Sequence, residues 1–81
     1  MHRLDNGQPL RDALAEAGLS IEELAERTRL IDGYGVSRSA IGHMVATGPS
    51  GRSKFADRSC DLVARALDMP IKELFADSTP T

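Results

Sequence analysis

A stretch of fourteen residues, GVSRSAIGHMVATG (35–48), holds side chains suited to specific hydrogen bonding. Its apolar residues recur at helical spacing, which predicts a short helix capped by Ser37. The residues on the exposed face of this helix are Arg38, Ser39, Gly42 and His43. Arginine carries paired donors that match guanine O6 and N7, while serine and histidine can bond a base or a phosphate. By itself, however, Arg38 fits an ordinary solvated arginine better than a binding residue.

Gly42 is unusual inside this helix, because glycine costs up to about 1 kcal/mol there relative to alanine. Two explanations stay open at this point. The bare backbone lies close either to DNA or to the loop that is expected within residues 29–34.

The segment TGPSGRSK (47–54) follows this helix and combines turn residues with Arg52, Ser53 and Lys54. Small residues let backbone N–H groups approach a phosphate, while the two cations neutralise its charge. A plain flexible loop is the alternative. We favour phosphate contact because both cations lie directly beside the exposed helix. Further contacts on the other side of the helix are expected from Arg27, Arg29 and Tyr34.

The charge is unevenly distributed along the chain, although its formal net value is only −2. Residues 1–26 carry two basic and six acidic side chains, 27–60 carry six basic and two acidic ones, and 61–81 carry two basic and four acidic ones. A basic block between acidic flanks fits a face directed at phosphate. It also fits an ordinary solvated surface, and the charge pattern alone barely separates the two.

Catalysis and metal binding find little support in this sequence. There is no Ser/His/Asp arrangement and no Gly-rich phosphate loop at a strand end, so we expect no enzyme and no cofactor. His2, His43 and Cys60 are far apart, whereas metal sites need clusters. A single cysteine allows no internal disulfide, and we expect Cys60 to be a small, partly buried helix residue. With no secretory signal or long apolar run, the chain reads as cytoplasmic and soluble.

Helix signals recur along the 81 residues and predict five short helices in one domain. The expected helices run from about 8 to 17, from 20 to 30 or 31, from 38 towards 48, from 54 to 67 and from 71 to 76. Gly18 ends the first helix, and Ser20 with Glu23 forms a capping box at the start of the second. Strands are not expected, because β-branched residues never alternate over a strand-length run. The core is expected from 8 to 76 and a flexible tail from 77 to 81.

Three segments in the same order resemble the Xre/Cro family, which includes small phage repressors with a helix-turn-helix. They are AGLSIEELAERT (17–28), GVSRSAIGHMVATG (35–48) and VARALDMPIKELF (63–75). The resemblance covers about residues 10–75 and implies an all-α, compact, five-helix, lambda-repressor-like domain. It also implies that the small side chain of Ala25 lets the second and third helices approach closely. Val36 and Ile41 are then the apolar contacts behind the helix that enters the major groove.

The sequence departs from the family pattern at two places. The insert RLIDGY (29–34) lengthens the turn, and its Asp32-Gly33 turn signal predicts that the second helix extends to Leu30 or Ile31. We expect Tyr34 to pack at the rim of the third helix or to reach the DNA backbone. Ile21 stands where many relatives carry a phosphate-binding glutamine. Free N–H groups at the start of the second helix, beside Ser20, still suit a phosphate.

The resemblance implies a sequence-specific, double-stranded DNA-binding transcriptional regulator that acts by operator occupancy, as a small Cro-like phage or prophage repressor does. We expect a homodimer on a near-palindromic operator, with no membrane or small-molecule partner. The expected DNA-binding residues are Ser20, Arg29, Tyr34, Ser37, Arg38, Ser39, Gly42, His43, Arg52, Ser53 and Lys54. The alternative is a protein-interaction module on the same fold, such as an antitoxin or anti-repressor, whose acidic flanks bind a basic partner.

Overall fold

Four α-helices form most of the computed structural model, which describes residues 1–46 and 54–76. The helices are α1 (Gln8–Ala17), α2 (Ile21–Ile31), α3 (Arg38–Val45) and α4 (Asp57–Ala66). Two short strands, β1 (His2–Arg3) and β2 (Phe75–Ala76), and two 3₁₀ helices, Leu4–Gly7 and Ile71–Glu73, complete the described elements. Together they make a compact, mostly helical small domain with a radius of gyration of 11.5 Å.

The core lies where α2 packs against α4 and α3, with α1 against α3. Its fully buried apolar side chains include Leu10, Leu24, Ile41, Met44, Cys60, Val63, Leu74 and Phe75. Ile41 was expected behind the exposed face of α3 and is confirmed there; Met44 is fully buried beside it, whereas Val45 is only half-buried. Burying a large apolar side chain contributes about 1.5–3 kcal/mol, so this inner face fixes the orientation of α3.

Two of the helix starts follow directly from local sequence signals. Ser20 Oγ accepts a hydrogen bond from Glu23 N at 3.1 Å, and Glu23 Oε1 accepts one from Ser20 N at 3.0 Å. This is the predicted capping box of α2. Ser37 Oγ likewise accepts from Ala40 N at 3.2 Å and caps α3, as predicted. Because both caps are satisfied within four residues, the positions of these two helix starts depend little on the rest of the fold.

The expectation of five helices is wrong, because the last segment does not form an α-helix. After Pro70 the chain makes a short 3₁₀ helix, Ile71–Glu73, and then enters β2. Arg3 pairs with Phe75 in an antiparallel sheet, and Leu4 N donates to the Leu74 oxygen at 3.0 Å. Pairing with β1 therefore satisfies backbone groups that a fifth helix would have bonded internally.

The expectation of no strands is wrong, because β1 pairs with β2. A second pairing, between residues 1–2 and 54–55, explains why α4 starts later than predicted. Phe55 N donates to the Met1 oxygen at 2.8 Å, and Lys54 forms an isolated bridge with His2. Residues 54–56 are therefore extended, and α4 begins at Asp57 instead of Lys54. The Phe55 and Phe75 rings meet edge to face, with centroids 6.5 Å apart.

Candidate nucleic-acid interface

Helix α3 has one buried face and one exposed end. Ile41 and Met44 are fully buried, whereas Arg38 and Ser39 are exposed at the first turn. Ser37, directly before the helix, is exposed as well, so the polar residues at this end are open to a partner. The predicted exposed face of α3 is therefore confirmed for Arg38 and Ser39, at its first turn.

Gly42 and His43 lie one turn further along α3 and are half-buried. Among the residues that the structure describes, a Cβ added to Gly42 would meet nothing within 4 Å outside its own helix. Packing against the insert therefore does not explain this glycine, and that alternative is wrong. The bare backbone of Gly42 leaves a shallow, open surface beside Arg38 and Ser39.

The insert does not separate α3 from α2, because the chain turns after the end of α2 and then packs against α2 again. Helix α2 ends at Ile31, as predicted, and the chain comes back at Gly35. A Cβ on Gly35 would lie 2.5 Å from Arg29 Cγ and 3.0 Å from Thr28 Oγ1. Gly35 also has φ 61°, in the left-handed region that favours glycine. Its missing side chain therefore allows the close approach on which the position of α3 depends.

Thr28 provides the hydrogen bond that joins α2 to the segment before α3. Its hydroxyl donates to the Ala25 oxygen at 2.7 Å and accepts from Val36 N at 2.8 Å. Thr28 is fully buried, and Val36 is only 5% exposed. Sequence reasoning missed this bond, for which the local sequence carries no signal.

We expect Thr28→Val to lower the free energy of unfolding by about 1–3 kcal/mol, because it leaves the buried Val36 N–H without an acceptor. Amide hydrogen exchange measured by NMR should show faster exchange at Val36. Thr28→Ser is the matched control, since it keeps the hydroxyl and loses only a methyl group. Equal exchange rates at Val36 in the two variants would contradict this role.

The insert forms a hydrogen-bonded tip at the end of α2. Asp32 Oδ1 accepts from Tyr34 N at 3.2 Å, and the Asp32 oxygen accepts from Gly35 N at 2.8 Å. Arg58 of α4 donates to Asp32 Oδ2 at 3.1 Å and to the Gly35 oxygen at 3.2 Å. Tyr34 is 91% exposed, so the expected packing against the rim of α3 is wrong. Leu30 is also 86% exposed, which makes the tip an apolar surface.

A partly open groove of about 620 Å³ lies between α2, the tip and the start of α3. Its charged and aromatic lining residues are Glu22, Glu23, Glu26, Arg29, Tyr34 and Arg38. Arg38 Nη1 donates to Glu22 Oε1 at 2.7 Å, and Arg29 Nη2 bonds Glu26 Oε1 at 3.1 Å. Sequence reasoning counted these glutamates as part of an acidic flank, but the fold brings them beside the predicted DNA-binding arginines.

Two arginines from the first part of the chain hold the C-terminal end of α3. Arg3 Nη1 lies 2.9 Å from the His43 oxygen and 2.7 Å from the Ala46 oxygen, and Arg11 Nη1 lies 2.8 Å from the Val45 oxygen. These carbonyl groups have no partner within the helix, and cations also suit the negative end of the helix dipole. The two arginines therefore hold the C-terminal end of α3, whereas its first turn, at the other end, is exposed. Sequence reasoning missed this role.

The other predicted contact residues lie in different surroundings. Arg52 and Ser53 fall outside the described residues. Lys54 is exposed and lies opposite His2. Arg29 is exposed and paired with Glu26. The Ser20 hydroxyl is engaged in the capping box, so it is less available to a phosphate than its position suggested.

Cys60 is fully buried in α4. Burial raises the pKa of its thiol to about 11, so the thiol stays protonated at neutral pH and is a poor nucleophile. Within residues 1–46 and 54–76, no three His, Cys, Asp or Glu side chains are grouped so that they could hold a metal ion. Over the same ranges, every helix is too short or too polar to cross a membrane.

Comparison with known proteins gives no relative: the chain matches no family model, no curated protein and no solved structure.

Proposed function

We propose that this chain is a sequence-specific, double-stranded DNA-binding transcriptional regulator of the Xre/Cro type with a lambda-repressor-like fold. In this proposal α2 and α3 form the helix-turn-helix, and α3 enters the major groove. The protein acts in the cytoplasm as a small phage or prophage repressor does, by occupying its operator as a homodimer. It has no catalytic activity and needs no cofactor.

The observation that carries the proposal is the exposed first turn of α3. Arg38 and Ser39 are open to solvent, while Ile41 and Met44 fix the opposite face in the core. Residues near the N-terminus of a recognition helix are the ones that reach base edges. Arg38 then donates to guanine O6 and N7, and the bare backbone at Gly42 lets the helix lie close to the bases.

Phosphate contacts supply most of the affinity in this proposal. Lys54 is exposed, and Arg52 and Ser53 precede it in the sequence. Because these residues follow α3 in the sequence, we expect them to contact the sugar-phosphate backbone, which carries no direct sequence information. The net charge of −2 does not oppose this, because local cations and not the total charge neutralise phosphates.

We expect affinity for duplex DNA to fall steeply with salt, because each neutralised phosphate releases counterions. The log–log slope should be about −0.9 per phosphate contacted. A duplex selected from a randomised pool and a scrambled duplex serve as probes, with binding followed by fluorescence anisotropy over a salt series. Salt-independent affinity, or a pool from which no sequence is enriched, would refute the proposed function.

A second candidate function is a protein-interaction module, such as an antitoxin or anti-repressor. The observation that favours it is the tip, on which Leu30 and Tyr34 are almost fully exposed and Arg58 bonds the backbone. Rigid, exposed aromatic side chains are frequent anchors of protein interfaces. In this case the double variant Leu30→Ser/Tyr34→Ser would lose binding to the product of an adjacent gene, measured by calorimetry. Unchanged binding of that product, or its failure to bind the wild type, would exclude this candidate.

A further inference from the structure

A short ion pair joins Glu22 of α2 to Arg38 of α3. The Glu22 Oε1 to Arg38 Nη1 distance is 2.7 Å, and the two side chains are 71% and 68% exposed. An ion pair this exposed contributes little to folding stability, because water screens both charges. The pair therefore matters little to the fold, and its importance lies in its place beside the proposed DNA-binding surface.

Arg38 occupies a position that does not favour a cation. It is the first residue of α3, where the helix dipole is positive, and the first turn of α3 holds no acidic residue of its own. Glu22, the second residue of α2, supplies the negative charge from the neighbouring helix. The carboxylate of Glu22 thus offsets the unfavourable interaction between the Arg38 guanidinium and the positive end of the α3 dipole.

We propose that Glu22 is a specificity-determining residue of the DNA-binding surface, an inference that rests on the proposed function. A guanidinium has five N–H donors, and Glu22 engages it at Nη1. Within the part of the chain that the structure describes, Glu22 is the hydrogen-bond partner of the Arg38 side chain, and the remaining donors suit guanine O6 and N7 together. By holding one side of the guanidinium, Glu22 reduces the conformational entropy that Arg38 loses when it binds a base.

The same carboxylate acts against binding at wrong sequences. On a random duplex Arg38 meets no guanine in the correct position, and its charge is attracted to the nearest phosphate instead. Glu22 already neutralises Arg38 and repels phosphate, so this non-specific contact is weakened. Specificity then comes partly from a penalty on the wrong partner and not only from a bond to the right one.

Glu22→Gln tests this inference, because it removes the charge and keeps the size and the hydrogen-bonding oxygen. We expect affinity for a scrambled duplex to rise about two- to fivefold, with a smaller rise or a fall on the selected duplex. The ratio of the two affinities therefore decreases. Glu26→Gln is the matched control, since Glu26 lies on the same helix, loses the same charge and pairs with Arg29 instead of Arg38.

The measurement is an anisotropy titration of wild type, Glu22→Gln, Glu26→Gln and the Arg38→Ala forms of the first two, on both duplexes at one salt concentration. In the Arg38→Ala background, Glu22→Gln should leave the affinity ratio unchanged. Equal effects of Glu22→Gln and Glu26→Gln on that ratio would overturn the role of Glu22 while leaving DNA binding intact. A wild type that does not prefer the selected duplex would instead overturn the proposed function, and this inference with it.

Discussion

Gly35→Ala is expected to lower the free energy of unfolding by about 3 kcal/mol, because the new methyl group would meet α2 and the backbone has a positive φ. The added Cβ would lie 2.5 Å from Arg29 Cγ and 3.0 Å from the Arg29 backbone nitrogen. The backbone nitrogen belongs to α2 and cannot move aside without distorting that helix. Chemical denaturation followed by circular dichroism measures the loss.

Gly18→Ala is the control for backbone conformation. Gly18 has φ 67°, close to the 61° of Gly35, but a Cβ there would meet nothing within 4 Å among the described residues. We expect Gly18→Ala to cost only about 1 kcal/mol, the conformational part of the effect. The difference between the two variants isolates the steric contact between Gly35 and α2. Equal decreases in the free energy of unfolding would show that the added methyl group at Gly35 makes no unfavourable contact with α2.

The parts of the fold that were predictable are those set by neighbouring residues. Ser20 and Glu23 cap α2 over a distance of three residues, and Ser37 caps α3 in the same way. The end of α2 at Ile31 followed from the Asp32-Gly33 turn signal. In each case the partner groups are close in sequence, so tertiary contacts could not easily change the outcome.

The last segment was predicted wrongly because its apolar spacing suits two structures. Ile71, Leu74 and Phe75 fit one face of a helix, but Phe75 pairs with Arg3 in the sheet. That pairing joins residues 72 positions apart, and nothing in the local sequence announces it. Long-range backbone pairing of this kind overrides local propensity.

The exposed residues of the candidate site were predictable, but the residues that contact and hold α3 were not. The apolar spacing of α3 correctly put Arg38 and Ser39 on the surface. The groups that surround α3 come from distant parts of the chain: Glu22 is 16 residues from Arg38, and Arg3 is 40 residues from His43. Such contacts depend on how the helices pack, so only a structure reveals them. The role of Arg38 as a base-reading residue stays a prediction.

Arg38→Ala is expected to weaken binding to the selected duplex by about 1–3 kcal/mol, which is roughly 5- to 150-fold. The loss should be much smaller on a scrambled duplex, because a bidentate bond to guanine forms only at the correct sequence. The Arg38 side chain is 68% exposed, so the variant should fold as the wild type does. Anisotropy titrations on both duplexes at one fixed salt concentration measure the two losses.

The same pair of titrations, made with Arg38→Ala beside Lys54→Ala, tests most directly whether the exposed turn of α3 reads DNA sequence. Lys54 is exposed after α3, where it can neutralise a phosphate at any sequence. Lys54→Ala should therefore weaken both duplexes by about the same factor, while Arg38→Ala should weaken mainly the selected duplex and relax the choice of one base pair. If Arg38→Ala weakened both duplexes equally, Arg38 would hold a phosphate, and the assignment of α3 as the sequence-reading helix would be wrong.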